Sequence, residues 1–224
     1  MTDRQNKEKK GRKENMIQLE RTAVMNLEHA MRGARNPMNS WARSDSYYNE
    51  EHEYILGPND LGLARRLCLA GSDHRKFIRQ ILVSVDITAP LYWWKEYDTY
   101  KVATVANSTS TMHKIHSKPF EMTDFSVDRL TEESYARMEE FVAYLETVRL
   151  RYIETKEKAL WYDLIQLLPS SYHQLRTCTL NYETLTNIYY ARKNHKLDEW
   201  HVVCDWIRGL PYAREMILAR EENV

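Results

Sequence analysis

Glycine is scarce in this chain. The six glycines among 224 residues (Gly11, Gly33, Gly57, Gly62, Gly71 and Gly209) build neither a GxGxxG nor a GxxxxGK[ST] run. A Rossmann dinucleotide site or a Walker phosphate loop is therefore excluded as usually built. Any phosphate would have to be held by side chains or helix N-termini. Cysteine is scarcer still: Cys68, Cys178 and Cys204 are odd in number, far apart and outside any CxxC pair. That is the usage of reduced thiols in a cytoplasmic protein rather than of a disulfide or zinc framework. Net charge is absent, since 32 Lys+Arg meet 32 Asp+Glu, so no global field draws the chain to nucleic acid. No apolar run approaches the roughly 18 residues that span a bilayer, and no apolar h-region follows the basic start. A soluble protein without a membrane partner is expected.

What the chain does have is core material. Hydrophobic residues make up 43% and aromatics 11%, which excludes general disorder. Residues 1–15 are basic and almost free of apolar side chains and read as a disordered, solvated tail. Residues 16–224 contain no repeat and no dividing linker, so they read as one α+β domain. That domain is mostly helical, with a small antiparallel or mixed sheet.

Ile17, Leu19, Val24, Leu27 and Met31 fit a helix loosely, and 32–49 reads as a loop carrying Trp41, Arg32, Arg35 and Arg43. Residues 59–70 read as a helix capped by Asn59 or Asp60 and ended by Gly71. In 81–88, Ile81, Val83, Val85 and Ile87 alternate with Leu82, Ser84, Asp86 and Thr88, the period of a strand. An aromatic helix follows within 89–101, and 104–114 is polar and small. Later helices are expected from Thr131, around Trp161 to Leu168, from Asn181 to about Asn194, and from Asp198 to Gly209.

Two stretches, taken in order, carry a likeness. The first is LARRLCLAGSDHRKFIRQILVSVDITAPLYWWKEYDTYKVATVANSTSTMHK (63–114), and the second is LLPSSYHQLRTCTLNYETLTNIYYARKNHKLDEW (167–200). Together they resemble the flavin-dependent thymidylate synthase (ThyX) family. The first runs parallel to the family's helix, His-bearing turn, strand, Ala-Pro helix start and RHRxxSxNExSxRY signature. The second matches the family's spacing from Pro169 to Asn181, Asn187 and Arg192. The signature itself is degenerate. Tyr100-Lys101-Val102 stands for Arg-His-Arg, Ser108 for the glutamate and Met112 for a later arginine, while Ile165 and Glu183 fall where the family has further arginines. Losing guanidinium groups at phosphate contacts removes charge and bidentate geometry together.

The resemblance implies a ThyX-like fold, FAD as cofactor, and a pyrimidine deoxynucleotide as substrate. Methylenetetrahydrofolate and NADPH are the implied co-substrates and the homotetramer the implied assembly. Arg192 becomes the catalytic and substrate-binding residue, its cation favouring an ionised pyrimidine; Ser110 would bind a substrate phosphate. His74, Lys101, Asn107, Asn181 and Asn187 become the cofactor-binding set. Four of them have a plainer reading: Arg192 as a surface arginine, His74 as an exposed turn histidine, Lys101 as a snorkelling lysine and Asn181 as a helix cap. His113-x-x-His116 and His201-x-x-Cys204 lack further ligands nearby, and no metal is expected. Arg32, Arg35, Arg43, Arg75 and Arg79 are candidates to replace the missing cations.

Two readings follow: reductive methylation of dUMP to dTMP, or a re-purposed, non-catalytic ThyX-like protein that binds flavin or a pyrimidine nucleotide. A third, a ligand-free structural oligomer, requires the aromatic helix to be purely interface.

Overall fold

The computed structural model describes residues 17–221; the tail of residues 1–15 lies outside the described residues. The strands are β1 (Gln18–Met25), β2 (Tyr47–Tyr48), β3 (Tyr54–Ile55), β4 (Leu82–Pro90), β5 (Val105–Ser108) and β6 (His173–Asn181). The α-helices are α1 (Leu27–Arg35), α2 (Pro58–Leu69), α3 (Leu91–Tyr97), α4 (Glu132–Thr155), α5 (Lys158–Gln166), α6 (Tyr182–Arg192), α7 (Asp198–Arg208) and α8 (Ala213–Met216). The fold is α+β and mostly helical, with a small four-stranded sheet of order β1-β4-β6-β5 and a two-residue antiparallel ribbon of β2 on β3.

The chain gathers into two compact units. One holds Asp86–Thr99 and Asn107–Thr177; the other holds Leu19–Val85, Tyr100–Ala106 and the chain from Cys178 onward. Strands β4 and β6 run from one into the other, changing over after Val85 and Thr177.

In the unit of α3, α4 and α5, a core of Ile115, Phe120, Phe125, Val127, Val142, Leu145, Val148, Leu160 and Leu164 forms. Thr131 caps α4 by accepting a bond from the Ser134 amide at 3.3 Å, and the expected stripe of Val142, Leu145 and Val148 is its buried face. The aromatic helix is core rather than surface. Trp93, Trp94 and Tyr97 are all buried, with Trp93 stacked on Tyr97 at 5.2 Å and Trp94 edge-on to it at 5.1 Å. Rings in that geometry gain over simple burial, which removes the purely interfacial reading of this helix.

In the other unit, β4 keeps the predicted alternation, Val83 and Val85 inward against half-buried Ser84. Three local readings change here. The loose helix from 17 onward is instead strand β1, then Asn26 at φ 68°, then α1. Strand β1 is mostly exposed, so its apolar residues carry no two-residue period, and Asn26 tolerates the left-handed conformation that separates the elements. Helix α2 is capped neither by Asn59 nor by Asp60. Gly57 is its N-cap, and the Asp45 carboxylate accepts the amides of Asn59 (2.8 Å) and Asp60 (3.1 Å). A side chain at 57 would meet Asp45 at 2.3 Å, so the close approach requires glycine there. Asp198 opens α7 as its first helical residue, with Leu197 as N-cap. Strand β6, without a sequence-level assignment, leads directly into Asn181, whose side chain caps α6 by accepting from the Thr184 amide at 2.9 Å.

Candidate functional site

The residues singled out from the sequence divide between the two units. His74, Lys101, Asn181, Asn187 and Arg192 belong to one, Asn107 and Ser110 to the other.

Helix α6 carries three of the first set. Asn181 is buried and spent on its cap; Asn187 is exposed in the middle of the helix. Arg192 closes it, half-buried, with its Nε donating to the Tyr100 hydroxyl at 2.9 Å. Its guanidinium lies 4.9 Å from the Trp200 ring centroid and 5.6 Å from that of Tyr100. The two rings meet edge-on at 6.1 Å, so the cation sits in an aromatic cradle, where partial desolvation strengthens cation–π attraction. Trp200 is fully buried on α7. Tyr100 lies past the end of α3, in a segment tied to α6 by the Thr184 hydroxyl, which donates to the Val102 carbonyl at 3.1 Å.

Lys101 and His74 are exposed, His74 in the turn after α2. No described side chain engages the Lys101 ammonium or the His74 ring.

Two of the five candidate arginines are already paired. Arg75 is buried and forms a bidentate bond to Glu183, Nε to Oε2 at 2.9 Å and Nη2 to Oε1 at 2.8 Å. That hydrogen-bonded carboxylate raises Arg75 above the ordinary arginine range. Arg35 is buried against Asp60 at 2.5 Å, and Asp60 also accepts from Ser44 (2.6 Å) and Ser46 (2.5 Å). Buried charge survives only when paired in this way, so neither guanidinium is available to a phosphate. Arg32 rests 5.7 Å from the Trp41 ring; Arg43 and Arg79 are exposed.

In the other unit Asn107 is exposed on β5. Ser110 follows that strand, and its oxygen accepts the amides of His113 (2.9 Å) and Met112 (3.3 Å). It lines a cavity of about 350 Å³ with Lys114, Ser117, Lys118, Tyr172 and His173. Burial opposes charge on Lys118, but an ion pair with Asp124 outweighs it and raises the ammonium above its ordinary value. His173 shares a 2.9 Å hydrogen bond with Ser126, and burial pushes it below the ordinary histidine value. No described side chain pairs with the Lys114 ammonium. A hydroxyl-rich hollow with one uncommitted cation suits a small anion. Lys114 and Lys118 escaped the sequence reading, although MHKIHSK sets them four apart beside Ser110; that Tyr100 and Trp200 flank Arg192 escaped it because only folding brings the three together.

Among the described residues no group of three or more His, Cys, Asp or Glu could hold a metal ion. His201 faces Asp198 at 3.6 Å, and the buried Cys204 thiol is pushed up to about 11 by desolvation. Among the described residues no helix is long and apolar enough to cross a membrane.

No family model matches the chain, and no curated protein matches it in sequence. Solved structures do match. Thymidylate synthase X (ThyX) from Helicobacter pylori with FAD and dUMP superposes with a TM-score of 0.67 at 16% identity, over 90% of this chain and 96% of that chain. A second structure of the flavin-dependent thymidylate synthase from the same organism, complexed with FAD and dUMP, gives a TM-score of 0.67 at 16% identity over 90% and 97%. The fold of this chain is ThyX-like.

Proposed function

We propose that this protein is a flavin-dependent, thymidylate-synthase-like protein that takes a pyrimidine deoxynucleotide and FAD. Its reaction is the reductive methylation of dUMP to dTMP, with methylenetetrahydrofolate as carbon donor and NADPH as reductant, in a cytoplasmic homotetramer. The observation that carries this reading is Arg192 in its aromatic cradle. The family resemblance implies a uracil-contacting cation at this position, and the guanidinium lies 4.9 Å from the Trp200 ring centroid.

The chemistry asked of this chain's own residues is electrostatic. A guanidinium beside the pyrimidine lowers the free energy of its anionic form and polarises the ring toward attack at carbon. Trp200 and Tyr100 partly desolvate the half-buried cation, which then acts at lower local dielectric than on an open surface. Within their own unit, Ser110 and Lys114 suit a phosphate, as hydroxyl donor and point charge.

The donor set left uncommitted also fits a flavin. Lys101, His74 and the exposed amide of Asn187 provide a cation and hydrogen-bonding groups for a planar, phosphate-bearing molecule, with Asn181 contributing through the placement of the α6 start; Asn107, in the other unit, offers a separate exposed amide. When bound, FAD supplies the hydride of the reduction.

A second reading, binding without methylation, is favoured by a specific observation. Arg35 and Arg75, two candidates for the lost signature cations, are closed in ion pairs with Asp60 and Glu183.

A purified protein that is yellow, releases flavin on denaturation and gains thermal stability from dUMP supports both readings. At 100 times Kd a ligand adds roughly 2.7 kcal/mol to the folded state. Tritium release from 5-labelled dUMP then separates methylation from binding. Arg192→Ala should abolish the dUMP stabilisation and leave the ligand-free melting temperature within a few degrees. A colourless wild type that neither ligand stabilises would sink both readings.

A further inference from the structure

We propose that the cavity between the β2–β3 ribbon, the start of α1 and Tyr212 is a binding site for a methylated ammonium group. The cavity holds about 750 Å³, and every residue lining it belongs to the unit of Leu19–Val85 and the chain from Cys178 onward. That volume is in the range of small-ligand sites. Tyr48, Tyr54, Tyr212, Glu28 and Glu53 set its chemistry, and no lysine or arginine is among the described residues that line it. Nothing in this site depends on the function proposed above.

Tyr48 and Tyr54 stand opposite each other in the antiparallel register of the ribbon, their ring centroids 5.2 Å apart and their planes tilted by 59°. They form a corner rather than a stack. Tyr212 is fixed by its hydroxyl, which accepts the Leu56 amide at 3.0 Å. The Tyr48 hydroxyl donates to Glu28 Oε2 at 2.7 Å, and the Asn49 side-chain amide to Glu53 Oε2 at 3.2 Å. Both donors are neutral, and neither carboxylate meets a lysine or arginine side chain among the described residues. Negative charge without a counter-cation, set beside the electron-rich faces of rings, attracts an organic cation. A bare ammonium brings three donors that each need an acceptor, whereas methyl groups remove that need and pack against rings. The backbone adds a separate observation. Asn26, His52 and Tyr212, at φ 68°, 61° and 55°, are three of the seven non-glycine residues in the left-handed region among the described residues, and all three line this cavity. Asparagine adopts that region readily, but a tyrosine there is strained, and such strain collects at ligand sites.

The test is calorimetric titration of the full chain at pH 8, above the ordinary range of histidine, because His29 and His52 also line the cavity. The probes are choline, its neutral carbon isostere 3,3-dimethylbutan-1-ol, and a glycine pentapeptide with trimethyllysine at its centre. Choline should bind at least about tenfold more tightly than the isostere. Glu28→Gln, Glu53→Gln and Tyr48→Leu should each weaken choline by roughly three- to tenfold. Tyr48 is 54% exposed, so leucine there leaves the fold intact, and thermal melts verify this for all three variants. Glu139→Gln, exposed on α4 in the other unit, should bind choline as wild type does, which separates the local carboxylates from net charge. A peptide bound about tenfold more tightly than choline supports the site and makes its ligand a methylated protein side chain; equal affinities support it with a free small molecule as ligand. No saturable choline binding up to about 50 mM, equal affinity for choline and the isostere, or folded Glu28→Gln and Tyr48→Leu variants that bind as wild type does would each overturn the proposal.

Discussion

Glu183 is the sharpest place to perturb this protein, because the resemblance puts a cation there and the structure instead buries a carboxylate in an ion pair. Glu183 joins α6 to the segment after α2 through two bonds from Arg75, at 2.8 and 2.9 Å, with side-chain exposures of only 14% and 7%. Those exposures decide the magnitude. An exposed pair contributes about 0–1 kcal/mol, whereas removing one partner of a buried pair leaves an uncompensated charge and costs about 3–5 kcal/mol. Glu183→Gln, which preserves shape but not charge, should therefore destabilise by roughly 3 kcal/mol. At about 2–4 °C per kcal/mol for a chain of this size, that is a fall of roughly 6–12 °C in Tm. The assay is urea unfolding with thermal melts, comparing Glu183→Gln with Arg75→Glu/Glu183→Arg. The exchanged pair should recover most of the loss, since attraction is restored with the carboxylate and guanidinium swapped. A loss under about 1 kcal/mol in Glu183→Gln, with FAD or dUMP affinity altered instead, would refute the structural role and return Glu183 to the ligand site.

Two further outcomes are expected. Burial alone would raise Asp60, but hydrogen bonds from Ser44, Ser46 and Arg35 outweigh it and hold the carboxyl below its ordinary 3.8. Its contribution is therefore full above pH 3.8 and lost as pH falls through the lower folded value; Asp60→Asn should lower Tm at neutral pH and flatten the acid limb of Tm against pH, and an unchanged acid limb would contradict this. Desolvation pushes the Cys68 thiol up to about 12 and Cys204 to about 11, and Cys178 is buried as well. A thiol reagent at pH 8 should accordingly label none of the three rapidly in native protein and all three after denaturation; rapid native labelling would show the burial to be wrong.

Where one residue's environment is set by its chain neighbours, the amino-acid order sufficed. The two-residue alternation of Val83 and Val85, the Thr131 cap of α4 and its buried stripe, and the Asn181 cap of α6 were all legible, because each depends on spacing within a few residues. Resemblance to the ThyX family, not local spacing, singled out Arg192. Folding alone decided the rest. β1 is an edge strand without an apolar period, and the cap of α2 comes from Asp45, which lies outside the helix it serves. The pairing of Arg35 with Asp60 and Arg75 with Glu183 joins residues 25 and 108 positions apart, so which cations remain for a ligand could not be read along the chain. The cradle around Arg192 is of the same kind. Tyr100 is 92 positions away, and no periodicity reports a contact whose energy exists only once the backbone has closed the distance.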